Sequence, residues 1–229
     1  MRDDQANTPN LSVVSTVYDC SRPQERKDGL VAAASMVRAG ELVVIPTDTV
    51  YGIGCDAFSL SAVHSLLAAK GRGPDMPVGV LVGSWSTIDG LVLSVPYQAR
   101  QLIEAFWPGD LSIVLHHAPS LAWDLGHTRG TVMVRMPLHP VAIELLKETG
   151  PMAVSSANRS GLPAAATVNE AQLQLGEAVR VYLDGGPCGD PVPSTIVDLT
   201  GDEPVVLREG AVSVAAVKKT LGVEVRQVG

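Results

Sequence analysis

Short apolar runs alternate with helix-period segments along almost the whole chain, and this alternation restricts it to a sheet layered with helices. ELVVI (41–45), VGVLVG (78–83), LSIVL (111–115), TVMVRM (131–136) and MAVSS (152–156) have the length and content of buried strands. RKDGLVAAASMVRA (26–39), LSAVHSLLAAK (60–70), YQARQLIEAFW (97–107) and VAIELLKET (141–149) read as helices. Gly40 ends the first helix, Pro46 stops the first strand, and Ser59 or Ser61 caps the second helix. Thr167 and Glu170 have capping-box spacing for a short helix over 168–175. STIVDL (194–199) and PVVLRE (204–209) read as a hairpin through Gly201-Asp202, and a helix over 213–220 closes the fold. Because some strands follow each other directly, the sheet should be mixed, in an α/β fold of α+β type. No linker divides the chain, so one domain is expected over 17–221, with a flexible arm over 1–16 and a tail over 222–229.

Composition supports a covered sheet. Of 229 residues 46% are hydrophobic but only 4% aromatic, so the core must come from Val, Leu, Ala and Ile. The 17 basic and 24 acidic side chains give a net charge of −7, which argues against a surface coated for nonspecific nucleic-acid binding and leaves room for a local basic cleft. The three cysteines, Cys20, Cys55 and Cys188, are widely spaced, without the pattern of a disulfide framework or a zinc site. The polar start MRDDQANTPN is no signal peptide, and no stretch approaches the ~20 apolar residues of a membrane helix. A cytoplasmic protein without a membrane partner is the expectation.

Three polar segments are candidates for chemistry. PTDTVYGIGCDA (46–57) follows a buried strand, where binding groups are often mounted, although its hydroxyls also suit a turn. Gly52, Gly54 and Ala57 match the loose dinucleotide spacing, but they follow a turn rather than a strand, which disfavours that reading. AKGRGPDMP (69–77) places Lys70 and Arg72 at a helix end. There they answer the helix dipole or converge on an anion, Arg as a fork and Lys as a point charge. No GxxxxGK[ST] occurs, so the chain is not a P-loop NTPase. In AVSSANRSG (153–161), Ser156 and Asn158 would face the same way on extended chain, or serve a turn.

These segments resemble the YrdC-like, or TsaC, family of threonylcarbamoyl-AMP synthases. The markers run in family order: PTDTVYG at 46–52, KGR at 70–72, VRMP at 134–137, SAN then RSG within 156–161, PSTIVD at 193–198 and LREGA at 207–211. The resemblance implies a twisted mixed sheet flanked by helices around a concave basic cleft, in a short single-domain form. It further implies that Lys70 and Arg72 are catalytic and face the ATP phosphates and the carbamate. Thr131, Asn158 and Arg208 would contact ATP, while Thr49, Arg135, Ser156 and Ser194 would contact threonine. The chain departs from the family pattern at Gly73, Met76, Leu81 and Ala166. Leu81 stands where some relatives carry a histidine that contacts threonine.

The implied reaction joins L-threonine and bicarbonate to a carbamate, whose oxygen attacks the α-phosphate of ATP and expels pyrophosphate. Every participant is anionic, so the demand on the site is charge neutralisation, shared with Mg²⁺ on the phosphates. The product would pass to a separate transferase complex acting on tRNA adenosine. The rival reading is a YrdC-like module that binds double-stranded RNA or ribosomal precursors without synthase activity.

Overall fold

The computed structural model describes residues 15–189 and 192–228. The eleven described strands form one sheet. They are β1 (Thr16–Asp19), β2 (Val43–Ile45), β3 (Gly52–Asp56), β4 (Gly79–Leu81), β5 (Leu111–His116), β6 (Thr131–Arg135), β7 (Met152–Ser156), β8 (Val181–Asp184), β9 (Thr195–Asp198), β10 (Val205–Arg208) and β11 (Arg226–Gln227). Their order is β1-β8-β2-β3-β7-β4-β6-β5-β9-β10-β11. Parallel and antiparallel pairs both occur, as in β5 with β9 and β5 with β6, so the sheet is mixed. The helices are α1 (Pro23–Arg38), α2 (Leu60–Ala69), α3 (Tyr97–Phe106), α4 (Pro140–Thr149), α5 (Val168–Leu175) and α6 (Val214–Leu221). None of them is long and apolar enough to cross a membrane.

Helices cover both faces, but unequally. On one face α2, α3, α5 and α6 bury Leu66, Leu102, Ala171 and Val217 against strand residues such as Val44, Ile53 and Ile113. On the other face α1 and α4 bury Ala33, Val37, Val141 and Leu145 against Val43, Ile45, Val181 and Leu183. Both cores are aliphatic, as the scarcity of aromatics requires. α1 lies over β1, β8 and β2, and α4 beside it reaches Leu81 of β4 and Met152 of β7; the rest of this face, over β3, β7, β4, β6, β5 and β9, is left open. Side chains of every second residue point there, which brings Gly52, Val154 with Ser156, Gly79 with Leu81, Met133 with Arg135, and Ser112 onto one floor. A Cβ at Gly52 would come 2.8 Å from Val154 Cγ1, and one at Gly79 2.5 Å from Met133 Cε. Glycine at both positions keeps that floor open.

Several expectations need correction. β3 lies inside the segment read as a polar loop, where Gly52 and Gly54 hide the strand pattern. They belong to a strand, Gly52 opening it and Gly54 at its middle, rather than to a strand-to-helix turn, which removes the dinucleotide reading. β1 begins at Thr16, within the stretch expected to be an arm, while residues 1–14 lie outside the described residues. β11 lies within the expected tail and pairs with β10. α1 starts earlier than anticipated, at Pro23, since proline fits the first helical turn. β8 had no counterpart among the expected elements. The β9–β10 hairpin is antiparallel as expected, and Thr167 caps α5 through Glu170 N (3.2 Å).

The chain leaving β10 is packed tightly against β9. Gly210 N donates to Thr195 Oγ1 (2.8 Å), and a Cβ at Gly210 would land on the Pro193 carbonyl oxygen. Backbone must move to admit it, so Gly210→Ala should destabilise the protein by about 1–3 kcal/mol. Thermal denaturation checks this; an unchanged melting temperature would contradict the packing.

Candidate active site

A cavity of about 470 Å³ lies over the open half of the sheet. Of the residues singled out in the sequence, Thr49, Arg72, Arg135, Ser156, Ser194 and Arg208 line it. They come from stretches of chain far apart in sequence. Lys70, Thr131 and Asn158 do not line it.

Arg135 ends β6 and is only 7% exposed. Its Nε donates to Gly109 O (2.8 Å), Nη1 to Thr49 Oγ1 (3.0 Å), and Nη2 to Asp48 Oδ1 (2.6 Å) and Asp110 Oδ1 (3.3 Å). One guanidinium thus joins the loop after β2 to the turn before β5. Burial and the neighbouring Asp48 push the Asp110 carboxyl up to about 6, while Arg135 pulls the other way. In the loop after β2, Thr47 does the turn work: its Oγ1 donates to Val50 O (2.6 Å) and accepts from Thr49 N (3.2 Å). Thr49, which also lines the cavity, accepts instead from Arg135.

A second cluster sits across the floor. Buried Ser112 and Ser194 share a hydrogen bond of 2.9 Å between their hydroxyls. Arg208 grips the same segment, with Nε and Nη2 donating to Ser194 O at 3.0 and 2.8 Å. Burial first, and then the charge of Arg135, lower the Arg208 pKa, which marks two cations facing one space. Ser112 was not anticipated. Its signal was a small hydroxyl inside an otherwise apolar strand, where a buried polar group needs a partner. Leu81 is buried and lines the same cavity, giving it an apolar wall.

The KGR and SAN segments are joined differently from the sequence expectation. Lys70 is 1% exposed, and its Nζ donates to Ser156 O, to Asn158 O (2.7 Å) and to Asn158 Oδ1 (3.3 Å). Burial and then Arg72 lower its pKa to about 7, while the three surrounding oxygens favour the proton. Asn158 spends its amide on Arg159 O (3.0 Å) and Leu162 O (2.7 Å). It does not face the way Ser156 does, because β7 ends at Ser156 and the two-residue period stops with it. Thr131 shares the face of Met133 and Arg135 but sits at the far end of β6, its hydroxyl donating to Thr128 O (2.7 Å). Arg72 does reach the cavity, with Nε on Ser160 Oγ (2.8 Å) and Nη1 on Ser155 Oγ (3.3 Å). Lys70 is therefore a brace between the two segments. Lys70→Met leaves buried oxygens without a donor and should cost about 1–3 kcal/mol of stability. Arg72→Met, more exposed and bonded to hydroxyls that can turn to water, should cost less. Urea denaturation of both variants checks this, and equal losses would contradict it.

The family model described as "Telomere recombination", which covers Sua5, YciO and YrdC, matches residues 35–210. A Mycobacterium tuberculosis (H37Rv) protein provisionally named threonylcarbamoyl-AMP synthase is 62% identical over 211 residues, 92% of this chain and 97% of its own length. A Bacillus subtilis threonylcarbamoyl-AMP synthase is 37% identical over 196 residues, 84% of this chain and 56% of that longer protein. Among solved structures, Pyrococcus abyssi Sua5 complexed with L-threonine matches with a TM-score of 0.87 at 32% identity, over 94% of this chain and 62% of that one. The matched residues contain every side chain that lines the cavity, and the chain belongs to the Sua5/YciO/YrdC family.

Proposed function

We propose that the chain is an L-threonylcarbamoyladenylate synthase, condensing L-threonine, bicarbonate and ATP to threonylcarbamoyl-AMP and pyrophosphate. The observation that carries this reading is one cavity that sets three guanidiniums, Arg72, Arg135 and Arg208, beside the hydroxyls of Thr49, Ser112 and Ser194. The match to a Sua5 structure holding L-threonine supports it.

The chemistry asks for little else. Threonine's amine and bicarbonate give a carbamate and water; a carbamate oxygen then attacks the α-phosphate, and pyrophosphate leaves. Arg135 anchors the threonine carboxylate, with Thr49, Ser112 and Ser194 in range for its amine and hydroxyl. Arg72 and Arg208 stand on the remaining walls for the phosphates and the carbamate. Lys70 and Asn158 act one step back, fixing the segment that carries Ser155 and Ser156. Holding carbamate and phosphate together supplies effective concentration, and preorganised cations stabilise charge on the phosphate in flight. Mg²⁺ would enter with the nucleotide, whose phosphate charge it neutralises; among the described residues no group of three metal-ligating side chains occurs. The labile anhydride is consumed by a separate transferase acting on tRNA adenosine, in the cytoplasm. A net charge of −7 and a walled cavity suit small anions better than a duplex RNA surface.

Pyrophosphate release that requires all three substrates, with threonylcarbamoyl-AMP identified by mass spectrometry, is the expected outcome. Duplex RNA binding without any turnover would contradict the reading. Arg72→Ala should lower turnover by about two orders of magnitude while remaining folded. Threonine should be preferred over valine at equal concentration, because hydroxyls left unpaired in a buried site penalise the analogue. Ser194→Ala should narrow that preference, measured as product formed with each amino acid.

A further inference from the structure

Arg135 is more fully engaged than a residue that only receives substrate. A guanidinium has five N–H donors. Nε serves Gly109, Nη1 serves Thr49, and Nη2 serves both Asp48 and Asp110. One donor remains, whereas a carboxylate held as a fork needs two. The two aspartates are not equivalent. Asp48 lies 2.6 Å from Nη2 with its side chain 12% exposed, while Asp110 lies 3.3 Å away and is 36% exposed. Asp110 also stands in the turn between α3 and β5, outside any strand. It is the contact that can yield.

We propose that Asp110 is an internal carboxylate that competes with the threonine carboxylate for Arg135, lowering affinity for the amino acid and making its binding take up a proton. The inference rests on Arg135 being the carboxylate anchor. Charge arithmetic supports it. Asp48 from the loop after β2 and Asp110 already outweigh the single charge of Arg135. Threonine adds a third carboxylate at Arg135; the ammonium it also brings belongs among the hydroxyls of Thr49, Ser112 and Ser194, so the competition for the Arg135 donors remains, and Arg208 on β10 is a second cation facing the same space. His139, at the start of α4, also faces Asp48; burial first lowers its pKa, while the Asp48 charge pulls the other way. Protonating one carboxylate relieves the crowding. Asp110, already raised to about 6, rises further when it loses Arg135. The sign follows. As pH falls from about 7.5 toward about 5.5, Asp110 becomes neutral and releases Arg135, while threonine's own carboxylate stays ionised. Threonine should therefore bind more tightly at the lower pH.

Calorimetric titration of the full chain with L-threonine tests this, at several pH values and in two buffers of different ionisation enthalpy. The parent should take up a fraction of a proton on binding near neutral pH and gain affinity as pH falls. Asp110→Asn and Asp110→Ala, both at a part-buried turn position outside any strand, should bind about fivefold more tightly at pH about 7.5, with the uptake lost and the pH dependence flattened. Parent-like uptake and affinity in both variants would overturn the inference. Arg135→Ala separates the two levels. If it abolishes threonine binding while the Asp110 variants behave like the parent, only the role of Asp110 falls. If Arg135→Ala binds threonine undiminished, the anchor itself falls and the competition with it.

Discussion

The site hangs on the enclosure of one guanidinium. Arg135 reaches the end of β6 almost buried, and a charge in that position is tolerable only when it is paired and its donors are met. The partners come from two loops distant in sequence, Asp48 and Thr49 after β2 and Gly109 and Asp110 before β5. Both loops are thereby fixed relative to the central strands. Thr49 faces the cavity because Thr47 has taken over the turn hydrogen bonds, and Arg135 holds Thr49 in place. Removing the guanidinium would strand two carboxylates and free two walls of the cavity together.

Around that point, the fold makes room by leaving half of one sheet face bare. The helices on this face, α1 and α4, cover β1, β8 and β2 and reach Met152 of β7 and Leu81 of β4, and the rest of the face lies bare. The opposite face is covered by four helices, so the open half rests on a continuous core. Glycines at Gly52 and Gly79 flatten the floor, and the side chains that rise from it combine hydroxyls and cations with the apolar Leu81, Met133, Val154 and Ile196. Three guanidiniums, Arg72, Arg135 and Arg208, line the cavity of a chain whose net charge is −7, with Asp48 and Asp110 paired to one of them.

Much of this was legible in the sequence because it was written in local patterns. The apolar runs at 111–115, 131–136 and 152–156 fall on β5, β6 and β7, and the hairpin at 194–209 falls on β9 and β10. What stayed hidden depended on contacts between distant residues. β3 escaped because its glycines answer the close approach of Val154, which no window around residues 52–56 contains. The spacing of Lys70 to Arg72 points to convergence on an anion, but says nothing of the other partners of its ammonium. Those partners are backbone oxygens more than eighty residues along the chain. Ser112 and Asp110 lie beside the VRMP and PSTIVD motifs only after folding. The resemblance therefore named most of the cavity's polar residues but not the pairs that hold them in place.

If the Arg135 floor is the threonine pocket, the Arg72 and Arg208 walls are left to receive the nucleotide. A crystal structure with L-threonine and a non-hydrolysable ATP analogue decides between this arrangement and its alternatives. The threonine carboxylate should lie on Arg135, its hydroxyl among Thr49, Ser112 and Ser194, and the phosphates against Arg72 and Arg208, with Lys70 still bonded to the 156–158 segment. Threonine bound away from Arg135, or phosphates bonded directly to the Lys70 ammonium, would contradict it.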